Sequence, residues 1–239
     1  MFKTIRNRVC VVCKVGIKMR KFIFISFFFL IGCTQIAHQI VEPNYVPPIW
    51  LCAGQSNMDE GKMPYWFAAF MRDSGHPIAI LSASFGGTKI EQWLPNGNAY
   101  NTRILPYSKV KIAGILWWQG EANALDYDGG SWQYYDVNFK EFIYQMRILF
   151  GNVPVIFVTL QNYDNALNAN QWADRTVSFN ATSETNPWRI TRENQLKALE
   201  LNNIYAVETR DITFGEVHPS YAYEEIGRRA AKIAIEVNN

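Results

Sequence analysis

Cysteine and histidine are scarce in this chain of 239 residues, which has four Cys and three His. Cys10 and Cys13 form a C-x-x-C pair, but no second pair follows and no βαβ pattern surrounds them, which disfavours a redox or metal site there. Three scattered histidines show no metal-ligand spacing either. We therefore expect neither a metal nor another cofactor.

Basic residues are also scarce once the N-terminus is set aside. Seven of the 23 Lys and Arg residues precede position 22, and the first acidic residue is Glu42. The rest of the chain has 16 basic residues against 21 Asp and Glu, a formal charge of −5. No basic stripe remains that could neutralise phosphates, so nucleic acid is not an expected partner.

A long apolar run is missing as well. Residues 22–31 are apolar except for Ser26, whereas a membrane-spanning helix needs about 20 such residues. Arg20 and Lys21 precede this run, and a charged flank before a short apolar core is the layout of a secretory signal. The run ends in Leu30-Ile31-Gly32-Cys33, which resembles the bacterial lipobox. That resemblance implies that Cys33 is lipidated and becomes the first mature residue.

Three segments follow from these features. Residues 1–33 are predicted to be a lipoprotein signal peptide, with Met19 as an alternative start because Met19-Arg20-Lys21 already begins a complete signal. Residues 34–48 are polar, end in two prolines and are predicted to be a tether. Residues 49–239 form the predicted folded domain. The lipobox resemblance places the protein in a bacterial cell envelope, periplasmic or at the cell surface, with a lipid anchor in the membrane.

Apolar runs alternate with helical patterns in the folded part. The runs are short and continuous, as in strands buried on both faces of a parallel sheet, and they cover residues 49–53, 78–81, 112–118, 155–160 and 204–207. Helical spacing is seen at residues 135–146, 188–201 and 223–233, with Ser220 as the expected cap of the last helix. This alternation predicts an α/β fold, a three-layer α/β/α domain around a central parallel sheet.

Four polar clusters fall where ligands bind in such sheets, beyond the carboxyl ends of the strands. Three of them follow the first three strands and the fourth precedes the last helix: Gly54-Gln55-Ser56-Asn57-Met58, Phe85-Gly86-Gly87-Thr88, Gln119-Gly120-Glu121 and Glu216-Val217-His218-Pro219.

These clusters contain the groups that acyl transfer requires. A serine becomes a strong nucleophile when a base takes its proton, and His218 can act as that base for Ser56. The only competitors for the role of base are His38, which lies in the tether, and His76, which lies in a loop before a strand. An oxyanion needs hydrogen-bond donors. The expected donors are the Ser56 N–H, the N–H of Gly86 or Gly87, and the side-chain amide of Gln119.

The clusters, in this order, resemble the SGNH-hydrolase superfamily. More narrowly they are similar to its sialate O-acetylesterase and acetylxylan esterase branch, carbohydrate esterase family 6-like, which carries G-Q-S-N-M, G-G-T, W-x-Q-G-E and D-I-H-P. Arg192 with Gln195, and Gly227 with Arg228, match two further elements, and the resemblance covers residues 49–236. It implies a flavodoxin-like SGNH fold and a serine esterase that removes O-acetyl groups from sialic acid, xylan or related glycans through an acyl-enzyme intermediate.

One position departs from the branch pattern. Glu216 stands two residues before His218, where the branch has Asp, and Gly215 occupies the position three residues before it. We assign Glu216 as the acid that orients His218 and keep Glu121 as the rival. Asp211 is a weaker third candidate because it is further from His218 along the chain.

Substrate contacts are harder to assign from the sequence. The candidates are Gln55, Asn57 and Glu121, which lie within the polar clusters. Trp93, Trp118 and Trp132 are candidates for stacking on a sugar, although most aromatic side chains belong to the core. The expected partner is an acetylated carbohydrate bound by a monomer.

Two other functions stay open. One is a different SGNH acyl hydrolase or acyltransferase. A lipase of this type usually adds an apolar lid, whereas Asp59, Glu60 and Lys62 make the stretch after Ser56 polar. The other is a glycan-binding lipoprotein with impaired catalysis, which the altered acid keeps open.

Overall fold

The computed structural model describes residues 45–59, 61–126, 129–160, 162–163, 186–214 and 218–238. The chain divides into two units, Met1–Pro43 and Asn44–Asn239, and all described residues belong to the second. The predicted signal peptide, Cys33 and residues 34–44 of the tether therefore lie outside the described residues. So do Glu60 and the segment Gly215–Val217, which includes Glu216.

A five-stranded parallel sheet forms the centre of the second unit. Its strands are β1 (Ile49–Gly54), β2 (Ala79–Ser84), β3 (Gly114–Trp118), β4 (Val155–Val158) and β6 (Ile204–Val207), in the spatial order β2-β1-β3-β4-β6. Two-residue strands β5 (Asn162–Tyr163) and β7 (Thr213–Phe214) pair separately. Each apolar run of the sequence thus became a strand of the central sheet, with ends shifted by at most three residues.

Five α-helices accompany the strands in the described part of the chain. They are α1 (Met63–Asp73), α2 (Glu121–Ala124), α3 (Tyr135–Phe150), α4 (Pro187–Leu196) and α5 (Tyr223–Asn238). The helix predicted to reach residue 201 ends at Leu196 and continues as a 3-10 turn to Glu200. The prediction that Ser220 caps the last helix is wrong, because Ser220 lies inside a 3-10 turn, Ser220–Ala222, that precedes α5. No helix in the described ranges is long and apolar enough to cross a membrane.

The sheet is covered on both faces, which confirms the three-layer α/β/α prediction. Alternate residues of a strand point to opposite faces. Leu51 and Trp117 thus join the core beneath α3, where the Trp117 and Phe142 ring centroids are 4.2 Å apart. Trp50 and Trp118 belong to the second core, which is shared with α1 and α5. Burial on both faces explains why the strands read as continuous apolar runs.

The carboxyl ends of β1 and β3 approach unusually closely. Gly54 has a φ of +137°, and a Cβ at this position would lie 2.1 Å from the carbonyl oxygen of Trp118. Only glycine accommodates both the backbone angle and the approach. The next residue, Gln55, donates its N–H to that same carbonyl at 3.1 Å. The turn after β1 is therefore held directly against the end of β3.

Candidate active site

Ser56 begins a single 3-10 turn, Ser56–Met58, directly after β1. The Met58 N–H closes the turn on the Gln55 carbonyl at 2.8 Å, and the Met58 side chain is buried in the core shared with α1 and α5. Lys62 Nζ donates to the Ser56 carbonyl at 2.7 Å. The backbone of Ser56 is thus held from both sides, while its side chain stays partly exposed beyond the carboxyl end of β1.

His218 reaches Ser56 from the other end of the chain. The distance between Ser56 Oγ and His218 Nε2 is 2.6 Å, across 162 residues of sequence. This lies within the range in which a base can take a proton from its neighbour. The direction of proton donation depends on the imidazole tautomer, and catalysis requires the form in which Nε2 accepts. His218 itself is exposed, so the pair opens to solvent.

Gly86, one of the two glycines predicted as oxyanion donors, lies beside the nucleophile. The Phe85 N–H donates to the Gly54 carbonyl at 2.8 Å, and a Cβ on Gly86 would lie 3.6 Å from the Ser56 Cβ. In the part of the chain that the structure describes, the N–H groups of Ser56 and Gly86 donate to no protein acceptor. Both therefore remain available for an oxyanion formed at Ser56.

Gln119 is placed differently from the oxyanion donor that the sequence predicted. Its side chain is fully buried. Its Nε2 donates to the Thr88 carbonyl at 2.9 Å and to Asn123 Oδ1 at 2.8 Å. Its Oε1 accepts from the Tyr135 hydroxyl at 2.8 Å. A side-chain amide has two N–H groups, and both are used here, so we correct the assignment: Gln119 ties neighbouring segments together beneath the site.

Gln55, Asn57 and Glu121 are also turned inward. Each is at most 3% exposed, which is not the placement expected of substrate ligands. Gln55 Oε1 accepts from the Ala122 N–H at 3.3 Å. Asn57 Nδ2 donates to Glu121 Oε1 at 2.8 Å, and the Tyr223 hydroxyl donates to Asn57 Oδ1 at 2.8 Å. These three residues therefore form the floor beneath the catalytic pair.

Glu121 is not the acid that contacts His218. Among the described residues it has no hydrogen bond to His218, and its Oε2 is buried without a hydrogen-bond partner. Burial raises the pKa of Glu121 to about 7, although the hydrogen bond from Asn57 opposes part of that rise. The carboxyl group is thus a buried structural acid in this arrangement.

The other two acid candidates differ in what the structure describes. The Asp211 carboxylate is bound by the guanidinium of Arg229, which lowers the pKa of Asp211 to about 2. It has no hydrogen bond to His218 within the described ranges. Glu216 lies outside the described residues, so its assignment as the orienting acid stays a prediction.

Two of the three tryptophans proposed for sugar stacking belong to the core. Trp93 and Trp118 are fully buried, and Trp93 Nε1 donates to Thr88 Oγ1 at 2.8 Å. Trp132 is partly buried. The sequence pattern did not indicate that Asn123 or Tyr223 belongs to the site. Their only signal was position: Asn123 follows the third cluster, and Tyr223 lies five residues after His218.

No group of three or more His, Cys, Asp or Glu side chains that could hold a metal ion occurs among the described residues. Cys52 is buried in β1, and burial raises the pKa of its thiol well above the usual range.

Comparison with known families gives one match. The model of a family described as "Carbohydrate esterase, sialic acid-specific acetylesterase" matches residues 61–236, most of the chain. The matched range includes His218 and begins just after the nucleophile turn. A search of curated proteins found no match.

Solved structures with a similar fold come from bacteria and a plant. A carbohydrate acetylesterase from Xanthomonas citri has 23% identity and a TM-score of 0.63, over 80% of this chain and 56% of its own. A protein from Arabidopsis thaliana has 17% identity and a TM-score of 0.57, over 80% and 99%. An acetyl xylan esterase from Geobacillus stearothermophilus has 15% identity and a TM-score of 0.55, over 79% and 94%. At these identities the likeness shows the fold.

Proposed function

Because this chain belongs to the carbohydrate esterase family described as sialic acid-specific acetylesterases, we propose that it removes O-acetyl groups from carbohydrates, with Ser56 as the nucleophile. The observation that carries the proposal is the 2.6 Å contact between Ser56 Oγ and His218 Nε2. The second support is the Gly86 backbone, which lies beside Ser56 with its N–H available.

The first half of the reaction forms an acetyl-enzyme. His218 Nε2 takes the Ser56 hydroxyl proton as Oγ attacks the carbonyl carbon of the acetyl ester. The carbonyl oxygen becomes an oxyanion, which the N–H groups of Ser56 and Gly86 stabilise. When the carbon–oxygen bond to the sugar breaks, the imidazolium returns its proton to the sugar oxygen, and the sugar leaves as an alcohol.

The second half releases acetate. His218 takes a proton from a water molecule, whose oxygen attacks the acetyl carbonyl on Ser56. The new tetrahedral intermediate collapses as the bond between Oγ and the acetyl carbon breaks, and Ser56 recovers its proton from His218. Acetic acid leaves and loses its remaining proton to solvent, which gives acetate. We assign Glu216 to hold the imidazole ring and to stabilise its charged form in both halves, as the carboxylate does in related triads.

The proposed substrates are acetylated glycans, including sialic acid and xylan. Relatives of similar fold are named carbohydrate acetylesterase and acetyl xylan esterase. An exposed base next to a partly exposed nucleophile suits an ester on a bulky sugar, which cannot enter a closed pocket. This chain aligns with only 56% of the length of the Xanthomonas citri protein. The substrate is therefore proposed, and is not taken over from that protein.

We also propose that the enzyme works at the cell envelope, held by a lipid on Cys33. The lipobox-like sequence at residues 30–33 supports this location, and glycan substrates occur there. The N-terminal charge excess, seven Lys and Arg before residue 22, fits the positively charged start of a secretory signal.

Acetate release by Ser56→Ala tests the proposed function. The purified wild type should release acetate from p-nitrophenyl acetate and from acetylated glycans. Ser56→Ala should lower turnover by roughly 10⁴-fold or more with an unchanged melting temperature, because the lost atom is the nucleophile. His218→Ala should lose a similar factor. Substantial acetate release by both variants would contradict the proposal, and transfer of the acetyl group to an alcohol instead of water would favour an acyltransferase.

A further inference from the structure

Three buried polar side chains connect the nucleophile turn with β3 and α5. Glu121 Oε1 accepts from Asn57 Nδ2 at 2.8 Å, and Asn57 Oδ1 accepts from the Tyr223 hydroxyl at 2.8 Å. Glu121 starts α2 just beyond β3, and Tyr223 starts α5. All three are at most 5% exposed. We call Glu121, Asn57 and Tyr223 the brace.

The brace joins the two segments that carry the catalytic pair. Asn57 directly follows Ser56 in the 3-10 turn. Tyr223 ends a tightly bonded stretch after His218, in which the Ser220 N–H donates to the His218 carbonyl at 2.8 Å and the Ala222 N–H donates to the Pro219 carbonyl at 2.9 Å. The distance between Asn57 and Tyr223 therefore helps to set the distance between Ser56 and His218.

Glu121 decides which way the Asn57 amide points. Above its pKa of about 7, Glu121 is an ionised carboxylate that only accepts hydrogen bonds, so it selects the NH₂ end of the amide. The amide oxygen is then left facing the Tyr223 hydroxyl, which donates to it. A neutral group at position 121 that can both donate and accept would allow the reversed amide as well. In that orientation the Asn57 NH₂ would face the Tyr223 hydroxyl in place of its oxygen.

We propose that the brace is a positioning device that holds Ser56 and His218 at reacting distance; this rests on the proposed function. None of its members faces the reactants, so its effect passes through the backbone on either side. A displacement of about 1 Å between reacting groups costs on the order of 100-fold in rate. Loss of one brace hydrogen bond should therefore lower kcat strongly and change KM little.

The test removes one hydroxyl and compares it with a matched loss elsewhere. Tyr223→Phe deletes the brace donor and keeps the ring, whose centroid lies 6.0 Å from that of Trp118. Tyr205→Phe is the control, because Tyr205 also donates to an asparagine oxygen, Asn203 Oδ1 at 3.2 Å, on the remote strand β6. We expect Tyr223→Phe to lower kcat by about 10- to 100-fold with KM within about twofold, and Tyr205→Phe to change neither. The reaction of Ser56 with a fluorophosphonate should slow by a similar factor in Tyr223→Phe alone.

A double-mutant cycle separates positioning from general destabilisation. Glu121→Gln keeps the size of the side chain but permits the reversed amide, so it should lower kcat and fluorophosphonate labelling several-fold. In Glu121→Gln/Tyr223→Phe the two losses should not multiply, because both act through Asn57. Should Tyr223→Phe fail to fold, Glu121→Gln alone carries the same two measurements.

Different results would overturn the proposed esterase function and the positioning role of the brace. A wild type that releases no acetate overturns the proposed function, whereas fluorophosphonate labelling still reads the Ser56–His218 geometry. A wild type that is active, with Tyr223→Phe equal to Tyr205→Phe in kcat and labelling, overturns the positioning role. Losses that multiply in the double variant overturn it too, as does a change confined to KM.

Discussion

Ser56, His218 and Gly86 share a feature that their buried neighbours lack: each has a polar group that is open to a substrate. Beneath them, Gln119 and Asn123 are fully buried and hydrogen-bonded to each other. A buried amide must be satisfied by protein partners, so it cannot also be held ready for an oxyanion. At the scale of single residues, the site therefore consists of an open reacting layer on a closed supporting layer.

Glu216 carries the main residue-scale prediction. Glu216→Gln keeps the shape of the side chain and removes its charge, so the imidazolium of His218 loses its counter-charge. Turnover should fall by up to about 10⁴-fold, by analogy with other triads, while Glu216→Asp, which restores the residue typical of the branch, should stay active. The measurement is kcat for acetate release.

Asp211→Asn is the control for that comparison, because Asp211 is held by Arg229. Unchanged turnover in Glu216→Gln would remove Glu216 from the mechanism. The remaining possibility would then be a Ser–His dyad oriented by a backbone carbonyl.

Helix α5 links the catalytic histidine to the rest of the fold. It begins five residues after His218 and packs against α1. Gly227 lies at this contact, where an added Cβ would be 2.7 Å from the Trp66 Cβ and 2.8 Å from the Phe67 backbone nitrogen. Arg229, six residues after the start of α5, donates to the Glu208 carbonyl and to Asp211. The helix therefore holds the segment after β6 in place as well as the end that follows His218.

Gly227→Ala tests this contact at the scale of the element. Alanine favours a helix over glycine by about 1 kcal/mol, but the new methyl group would press on the α1 backbone, which cannot rotate away. Overpacking of this kind costs about 1–3 kcal/mol, so we expect net destabilisation in urea unfolding, with lower turnover because α5 shifts. A variant as stable as the wild type would show that α1 and α5 separate at little cost.

The stability of the whole molecule should depend on pH through Glu121. Burial raises the pKa of Glu121 to about 7 in the folded protein, from an ordinary value of 4.5. Between these values the folded state holds a proton that the unfolded state has lost, so stability falls as pH rises from about 4.5 to about 7 and then levels off. The full span corresponds to about 3 kcal/mol.

Glu121→Gln removes this titrating group. The measurement is the free energy of unfolding of both proteins as a function of pH. Relative to the wild type, the free energy of unfolding of Glu121→Gln should increase between pH 5 and pH 8, since all other titrating groups are common to both proteins. Parallel stability curves for the two proteins across that range would show that Glu121 does not titrate on folding.

Attachment to the membrane is the second prediction for the whole molecule. Cys33→Ser removes the thiol that the lipid would occupy, so the protein should stay unprocessed or be released from the membrane. Two lipid chains are required for stable anchoring. Membrane fractionation of the wild type and of Cys33→Ser measures the attachment of each protein. Cys33→Ser protein that has lost its signal and still sediments with the membrane would contradict the lipid anchor.

The sequence by itself determined the fold class and the elements that meet at the site. Continuous apolar runs specify strands buried on both faces, and parallel strands bring their carboxyl ends to one edge. The clusters at residues 54–58, 85–88 and 119–121 therefore had to be neighbours. The same logic brought the segment around His218 close to Ser56.

Only the tertiary structure decided which polar atoms face the substrate. Gln119 and Asn57 lie inside catalytic motifs, yet their side chains point inward because partners from distant segments satisfy them. One such partner is Tyr223, which is 166 residues from Asn57. A motif specifies which residues are adjacent along the chain, whereas the direction of a side chain depends on hydrogen bonds and packing made after the layers assemble. That is why the predicted oxyanion donor Gln119 lies in the supporting layer.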